Sequence, residues 1–299
     1  TNGKVQLNCS QNSHGVKLES PDHSASQSYT IKLPDNQIAA DKFLKVKSIS
    51  GSGSTAIGQL EFADGSGGVT SDGQNNTVAG TNAGDSFSGT SANNNTLFGY
   101  DAGTAITTGD DNTSVGAHSL ATTTTGLMNS AFGQASLHLN ESGSYNTAYG
   151  QGSLRANTTA DNNTALGRNA LAANTTGSEN TAVGTEALEA NTTGTDNTAV
   201  GLRALEANTT AFDNTAVGRS AMFVNTTGSS NTGLGRKALF SNTTASNNTA
   251  VGKSALELST TGEFNTAVGS TALDANTTGD DNVAIGGNAL GANTTANDN

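Results

Sequence analysis

NTAVGTEALEANTTGTD at residues 180–196 is followed without a gap by NTAVGLRALEANTTAFD at residues 197–213. Working outward from this pair, the same 17-residue unit opens at Asn95, Asn112, Asn129, Asn146, Asn163, Asn180, Asn197, Asn214, Asn231, Asn248, Asn265 and Asn282, and Asn299 would open the next. No residue is inserted or lost between these starts. A period this strict over about two thirds of a chain marks a solenoid, in which each repeat is one structural unit leaning on its neighbours.

Three blocks make up the unit. The first is Thr-Ala and a large apolar residue, such as Val183, Val200 or Val217, closed by a glycine that never varies, as at Gly184, Gly201 and Gly218. The second is a small residue and then Leu, as at Leu171, Leu188 and Leu205, with Met222 the one substitute and Gly103 the one gap. The third is Asn-Thr-Thr-Gly, which is turn chemistry. Glycine after every Val and the Asn/Thr/Gly cluster after every Leu interrupt any helical run well short of a stable helix. The expectation is therefore all-β, with two short strands per unit. Each unit is then one coil of a parallel β-solenoid, stacked on the next at about 4.8 Å.

Adjacent side chains of a strand point to opposite faces, so Ala182 and Val183 divide between two faces, and likewise Ala187 and Leu188. On this reading Val and Leu fill the coil, and the Ala face is left for close approach by another chain. Two large side chains per coil contribute about 3–6 kcal/mol by burial, against about 17 kcal/mol or more for fixing the backbone. Backbone ladders and association of several chains are expected to offset that deficit.

The N-T-A-V-G and A-L-x-x-N-T-T-G blocks resemble the short-period repeats of bacteriophage tail fibres and related surface fibres, and more distantly the S-x-A-x-G head repeats of trimeric autotransporter adhesins. The resemblance covers residues 95–299. It implies a left-handed parallel β-roll, a homotrimer, virion tail or appendage proteins as partners, and a host glycan or receptor at the end of the assembly. It places the chain in a virion appendage as a stiff spacer for host attachment; the alternative is a bacterial surface adhesin or extracellular fibre subunit that binds through its repeats. Fibres of this kind often carry a C-terminal chaperone that is cut away, so the resemblance implies either such a segment or the rest of a longer fibre beyond Asn299.

Residues 1–64 form a different module. KVQLNCS, HGVKLES, SYTIKLP, DKFLKVKSIS and GQLEFAD alternate apolar and polar side chains, as half-buried strands do. Tyr29, Ile31 and Leu33 share one face, while Lys32, Lys45 and Lys47 point outward. The string resembles a small β-module of virion-fibre proteins that joins three chains, so a trimerising collar is expected; the alternative is a stand-alone β-sandwich, for which about 60 residues is marginal without a partner. Residues 65–94 read as a Gly/Ser-rich linker followed by a degenerate coil at Asn76, 19 residues before Asn95, which caps the solenoid.

Composition excludes several classes. With 37 Gly, 2 Pro, no Trp and 4% aromatics in 299 residues, the chain lacks the bulk for one globular enzyme core. A net charge of -12 offers no basic cluster to phosphates, so no nucleic-acid partner is expected. No apolar run approaches a membrane span, and no membrane insertion is expected. Cys9 is the one cysteine and makes no intrachain disulfide.

Four patterns bear on chemistry. The Asn columns at Asn163, Asn180, Asn197 and Asn214, and again at Asn157, Asn174 and Asn191, suit stacked amide ladders; the latter also match glycosylation sequons. Acidic residues before the unit starts, such as Asp110, Asp111, Asp161 and Asp280, read as a solvated stripe, and no metal site or cofactor is expected. Thr192 and Thr193 are adjacent and diverge, which argues against an ice-binding array. His14, His23, His118 and His138 fall at unrelated places, so no catalytic residue is assigned and no enzyme is expected. The residues after each glycine, such as Tyr100, Arg168, Leu202 and Arg236, face outer corners, and Phe212, Phe223, Phe240 and Phe264 are read as exposed seam or sugar contacts.

Overall fold

The computed structural model describes the backbone of five strands before residue 64, and then residues 70–87 and 91–299. The chain divides into two units, Thr1–Ser66 and Gly67–Asn299.

In the first unit β1 (Lys4–Asn8) and β2 (Gly15–Glu19) form an antiparallel hairpin. A three-stranded sheet holds β5 (Ile57–Ala63) between β3 (Thr30–Lys32), which is parallel to it, and β4 (Phe43–Ser50), which is antiparallel with a bulge at Val46/Ser48. These five strands fall on the five alternating segments of the sequence. The facing of Tyr29, Ile31, Leu33, Lys32, Lys45 and Lys47, the surroundings of Cys9, His14 and His23, and the start of the 65–73 loop lie outside the described residues.

The second unit is a β-solenoid of about twelve 17-residue coils, with no helix among the described residues. Each coil contributes one three-residue strand, from β7 (Thr77–Ala79) and β8 (Thr96–Phe98) through β13 (Thr181–Val183) and β14 (Thr198–Val200) to β19 (Val283–Ile285). All thirteen pair in parallel, and like residue sits on like: Thr181 on Thr198, Ala182 on Ala199, Val183 on Val200. The expected second strand is absent. The Ala-Leu block is a turn, because Leu188 adopts φ 52° and every counterpart from Leu120 to Leu290 does the same.

That turn overturns the expected sidedness. Alternation of side chains holds for extended backbone only. At Ala187–Leu188 the left-handed residue turns both side chains inward, and both are fully buried. Within the strand, alternation does hold, but the sense is reversed: Ala182, Ala199 and Ala216 are fully buried, while Val183 and Val200 are half-buried and Val217 is 38% exposed on the outside. The interior is thin. One Leu reaching across from the turn fills it, leaving room opposite for only a methyl group.

Coils that break the consensus compensate in volume. In the first full coil Leu97 replaces the strand Ala, Gly103 replaces the turn Leu, and Ile106 replaces the second Asn; Leu97 and Ile106 are fully buried. A Cβ on Gly103 would lie 2.8 Å from Leu97 Cδ2 and 2.9 Å from Ile106 Cδ1. Met222 is matched in the next coil by Gly233, where a Cβ would come within 3.1 Å of Met222 Cε. At Ser114 and Ser119 the two hydroxyls hydrogen-bond to one another inside the coil.

From β7 to β18 the glycine after each strand is required twice over. Gly201 has φ +136°, and a Cβ there would lie 2.6 Å from the carbonyl oxygen of Gly218 one coil on. The column of glycines lets the corners stack at strand spacing.

At the N-terminal end, β6 (Thr70–Ser71) lies antiparallel on β7 and covers that edge of the sheet. Strand β7 itself pairs in register with β8, so residues 67–94 belong to the solenoid unit. The two extra residues of this coil fall between Phe87 and Ala92, since Ala92 receives from Asn76 the bond that Gly109 receives from Asn95.

Candidate functional site

The repeated side chains sort into three internal hydrogen-bond columns and two outer surfaces. In the first column, the backbone N–H of each unit-opening Asn donates to Oδ1 of the Asn one coil earlier, at 2.8–3.2 Å without a break from Asn95 to Asn299. The side-chain amide also closes its own coil: Asn180 Nδ2 donates to the carbonyl of Gly194 at 2.8 Å and Asn197 Nδ2 to that of Ala211 at 2.8 Å. Asn163, Asn180, Asn197 and Asn214 are fully buried, so these bonds replace the water each amide gives up.

Asp72 ends that column. Its Oδ1 accepts the backbone N–H groups of Gln74 and Asn76 at 3.0 and 2.9 Å, and its Oδ2 accepts from Asn76 Nδ2 at 2.9 Å. Burial works to raise the Asp72 pKa, but the bonds from Asn76 and Gln74 outweigh it and hold the carboxyl below its ordinary value.

The second column runs through the Asn of Asn-Thr-Thr-Gly. Nδ2 of Asn157, Asn174, Asn191, Asn208, Asn225 and Asn242 each donates to Oδ1 one coil back at 2.7–3.1 Å. It stops at Ser259, whose shorter side chain leaves two fully buried atoms, Asn242 Oδ1 and Ser259 Oγ, without a partner. In the third column the first Thr of the pair donates its hydroxyl to the equivalent carbonyl of the next coil, as from Thr192 to Thr209 at 3.0 Å. Thr193 is exposed. The sequon asparagines Asn157, Asn174 and Asn191 are fully buried and bonded within these columns.

One outer surface is the glycine corner. Arg168 pairs with Glu186; Arg203 pairs with Glu206 and reaches Glu186 at 3.4 Å; Lys237 meets Glu257 at 2.8 Å. Phe223 and Phe240 stack on one another at 5.3 Å, with Arg203 over the first ring and Lys237 over the second. These two rings are half-buried, whereas Phe212 and Phe264 are about half exposed, at 50% and 54%. Burial, then the charges of Glu186 and Glu206, push the Glu189 carboxyl above its ordinary value. Exposed pairs of this kind contribute about 0–1 kcal/mol each.

Further along the corner Tyr100, His118 and His138 touch edge to face, and His118 Nδ1 lies 3.4 Å from Asp101 Oδ2. The stripe before the unit starts is used locally: Asp110, Asp161 and Asp280 each accept a backbone N–H from the preceding coil, at 2.8, 2.7 and 2.8 Å. Among the described residues no three His, Cys, Asp or Glu side chains are grouped to hold a metal ion.

The other outer surface is the exterior of the parallel sheet. It carries the Thr column and the large apolar column side by side, and sequence reasoning had assigned the apolar column to the interior. Among the apolar positions, Val115, Tyr149, Leu166, Val217, Val268 and Ile285 are 36–73% exposed. Phe132 and Tyr149 stack along the row at 5.5 Å. Comparison of the chain with protein-family models, curated proteins and solved structures gives no match. No helix among the described residues is long and apolar enough to cross a membrane.

Proposed function

We propose that this chain is a structural fibre segment, a trimeric spacer in a phage tail fibre or similar virion appendage, which holds a host-binding element away from the particle. The carrying observation is the continuity of the first buried Asn column, unbroken from Asn95 to Asn299. Every coil is tied to the next by a unit-opening Asn side chain as well as by strand pairing, and most also by a Thr hydroxyl, so bending one joint strains several bonds at once. Such a coil array resists bending and shear, which is the mechanical property a spacer needs. Its role in this reading is mechanical, without a catalytic residue or cofactor, and the N-terminal unit supplies attachment and trimerisation. Other appendage proteins bind at its ends, and glycan or receptor recognition belongs to the assembly.

Native mass spectrometry of the intact 299-residue chain tests this. The expected species has three times the chain mass, and negative-stain images of it show straight rods. A chain that stays monomeric at micromolar concentration overturns the trimeric spacer.

A further inference from the structure

The exterior of the parallel sheet is unlike the rest of the surface. From β8 to β19 its two outward columns hold Thr or Ser with one Val, and Phe, Val, Tyr, Leu or Ile, and none of these residues is charged. The chain as a whole carries -12. Parallel sheets are ordinarily covered on both faces. Here the inner face is covered by the Leu turns, while the outer face presents half-exposed apolar side chains on every coil. Twelve strands at about 4.8 Å give a strip roughly 58 Å long, and a width of about 10 Å makes its area on the order of 600 Å². That approaches the roughly 800 Å² per partner of a stable protein interface.

We infer that this Thr-x-apolar face is where copies of the chain meet, with the apolar columns turned toward a common axis parallel to the solenoid. The inference rests on the multimeric reading above and names the surface that produces it. Two features select a second copy as the occupant. An acidic chain meets itself without repulsion only across an uncharged face. The strip also repeats at strand spacing over all twelve coils, and another copy offers the same repeat in the same order, so one favourable contact recurs along the whole length. Side chains ranging from Val to Tyr give the strip no single plane, which disfavours a crystalline surface such as ice.

The test places single thiols on the Cys9→Ser chain, at Val200→Cys on the outer face and at Thr193→Cys on the Asn-Thr-Thr-Gly corner. Both side chains point outward, so circular dichroism should match that of the parent chain. Facing sheets pack about 10 Å apart, and a bis-maleimide of similar span bridges them. The expected result is a crosslinked two-chain band for Val200→Cys, holding up to two of every three chains because the reagent joins thiols in pairs, and the single-chain band alone for Thr193→Cys. If the parent is multimeric by native mass and Val200→Cys stays uncrosslinked, the face is wrong and the multimer stands. If the parent is monomeric, the multimeric reading falls and this inference with it. A parent of two chains whose Val200→Cys form crosslinks supports the face and replaces three copies by two.

Discussion

Ser259→Asn should stabilise the protein, because it extends the second amide column past Asn242, where the column stops. The backbone at the defect is like that of its neighbours: Ser259 N donates to Leu256 O at 3.3 Å, and Thr260 Oγ1 donates to Thr277 O at 3.0 Å. An Asn side chain there meets Asn242 Oδ1 one coil back and the Gly262 carbonyl in its own turn, the partners its counterparts use. Pairing the buried Asn242 acceptor, with the new bond counted in, recovers about 2–3 kcal/mol; the Gly262 carbonyl already accepts from Asn248 and adds little. Ordering the longer side chain costs on the order of 1 kcal/mol. The net gain is therefore about 1–2 kcal/mol, or a factor of about 5–30 in a local opening equilibrium. A repeat array opens in parts, so hydrogen exchange resolved to peptides within residues 248–281 is the suitable assay. Exchange there should slow by about 5- to 30-fold in the variant, with coils near Asn157 unchanged. Ser259→Ala, which removes only the unpaired hydroxyl, should be close to neutral. Unchanged or faster exchange in Ser259→Asn would refute the claim that these atoms lack partners.

Three further outcomes follow from the packing. Gly201→Ala should destabilise by at least about 2 kcal/mol, since the residue keeps a strained φ and its Cβ meets the Gly218 carbonyl; denaturant titration reads this. Leu97→Ala alone should cost about 2–5 kcal/mol as a cavity, and Gly103→Leu alone about 1–3 kcal/mol as overpacking. The double variant restores the consensus pair and should recover much of both, so additive losses in a double-mutant cycle would argue against the volume exchange. For Asp72, the folded pKa is below the unfolded value of about 3.9, so its contribution is present above that value and lost as pH falls through the lower folded one. Exchange at residues 76–79 should accelerate in that acid window, and Asp72→Asn should abolish the pH dependence by making exchange fast throughout.

Much of this protein was legible because a period of 17 residues is a statement about topology. Invariant spacing forces like residue onto like, so the all-β solenoid, its register, and the columns of Asn163, Asn180, Asn197 and Asn214 and of Gly184, Gly201 and Gly218 follow from the sequence alone. Turn chemistry in Asn-Thr-Thr-Gly likewise located a corner. The tertiary structure decided sidedness. Apolar character makes Val183 look like core and Ala182 like surface, but the interior is only as wide as one Leu and one methyl group, and Leu188 already occupies it. That width comes from the left-handed turn at Leu188, a conformation a non-glycine residue adopts at a cost and that no local signal announces. The exchanges between Leu97 and Gly103, and between Met222 and Gly233, are similarly invisible until the coil shows which positions share one small volume. The same reversal sends the large apolar column outward, and the surface it creates is one that a pattern of apolar residues alone would have buried.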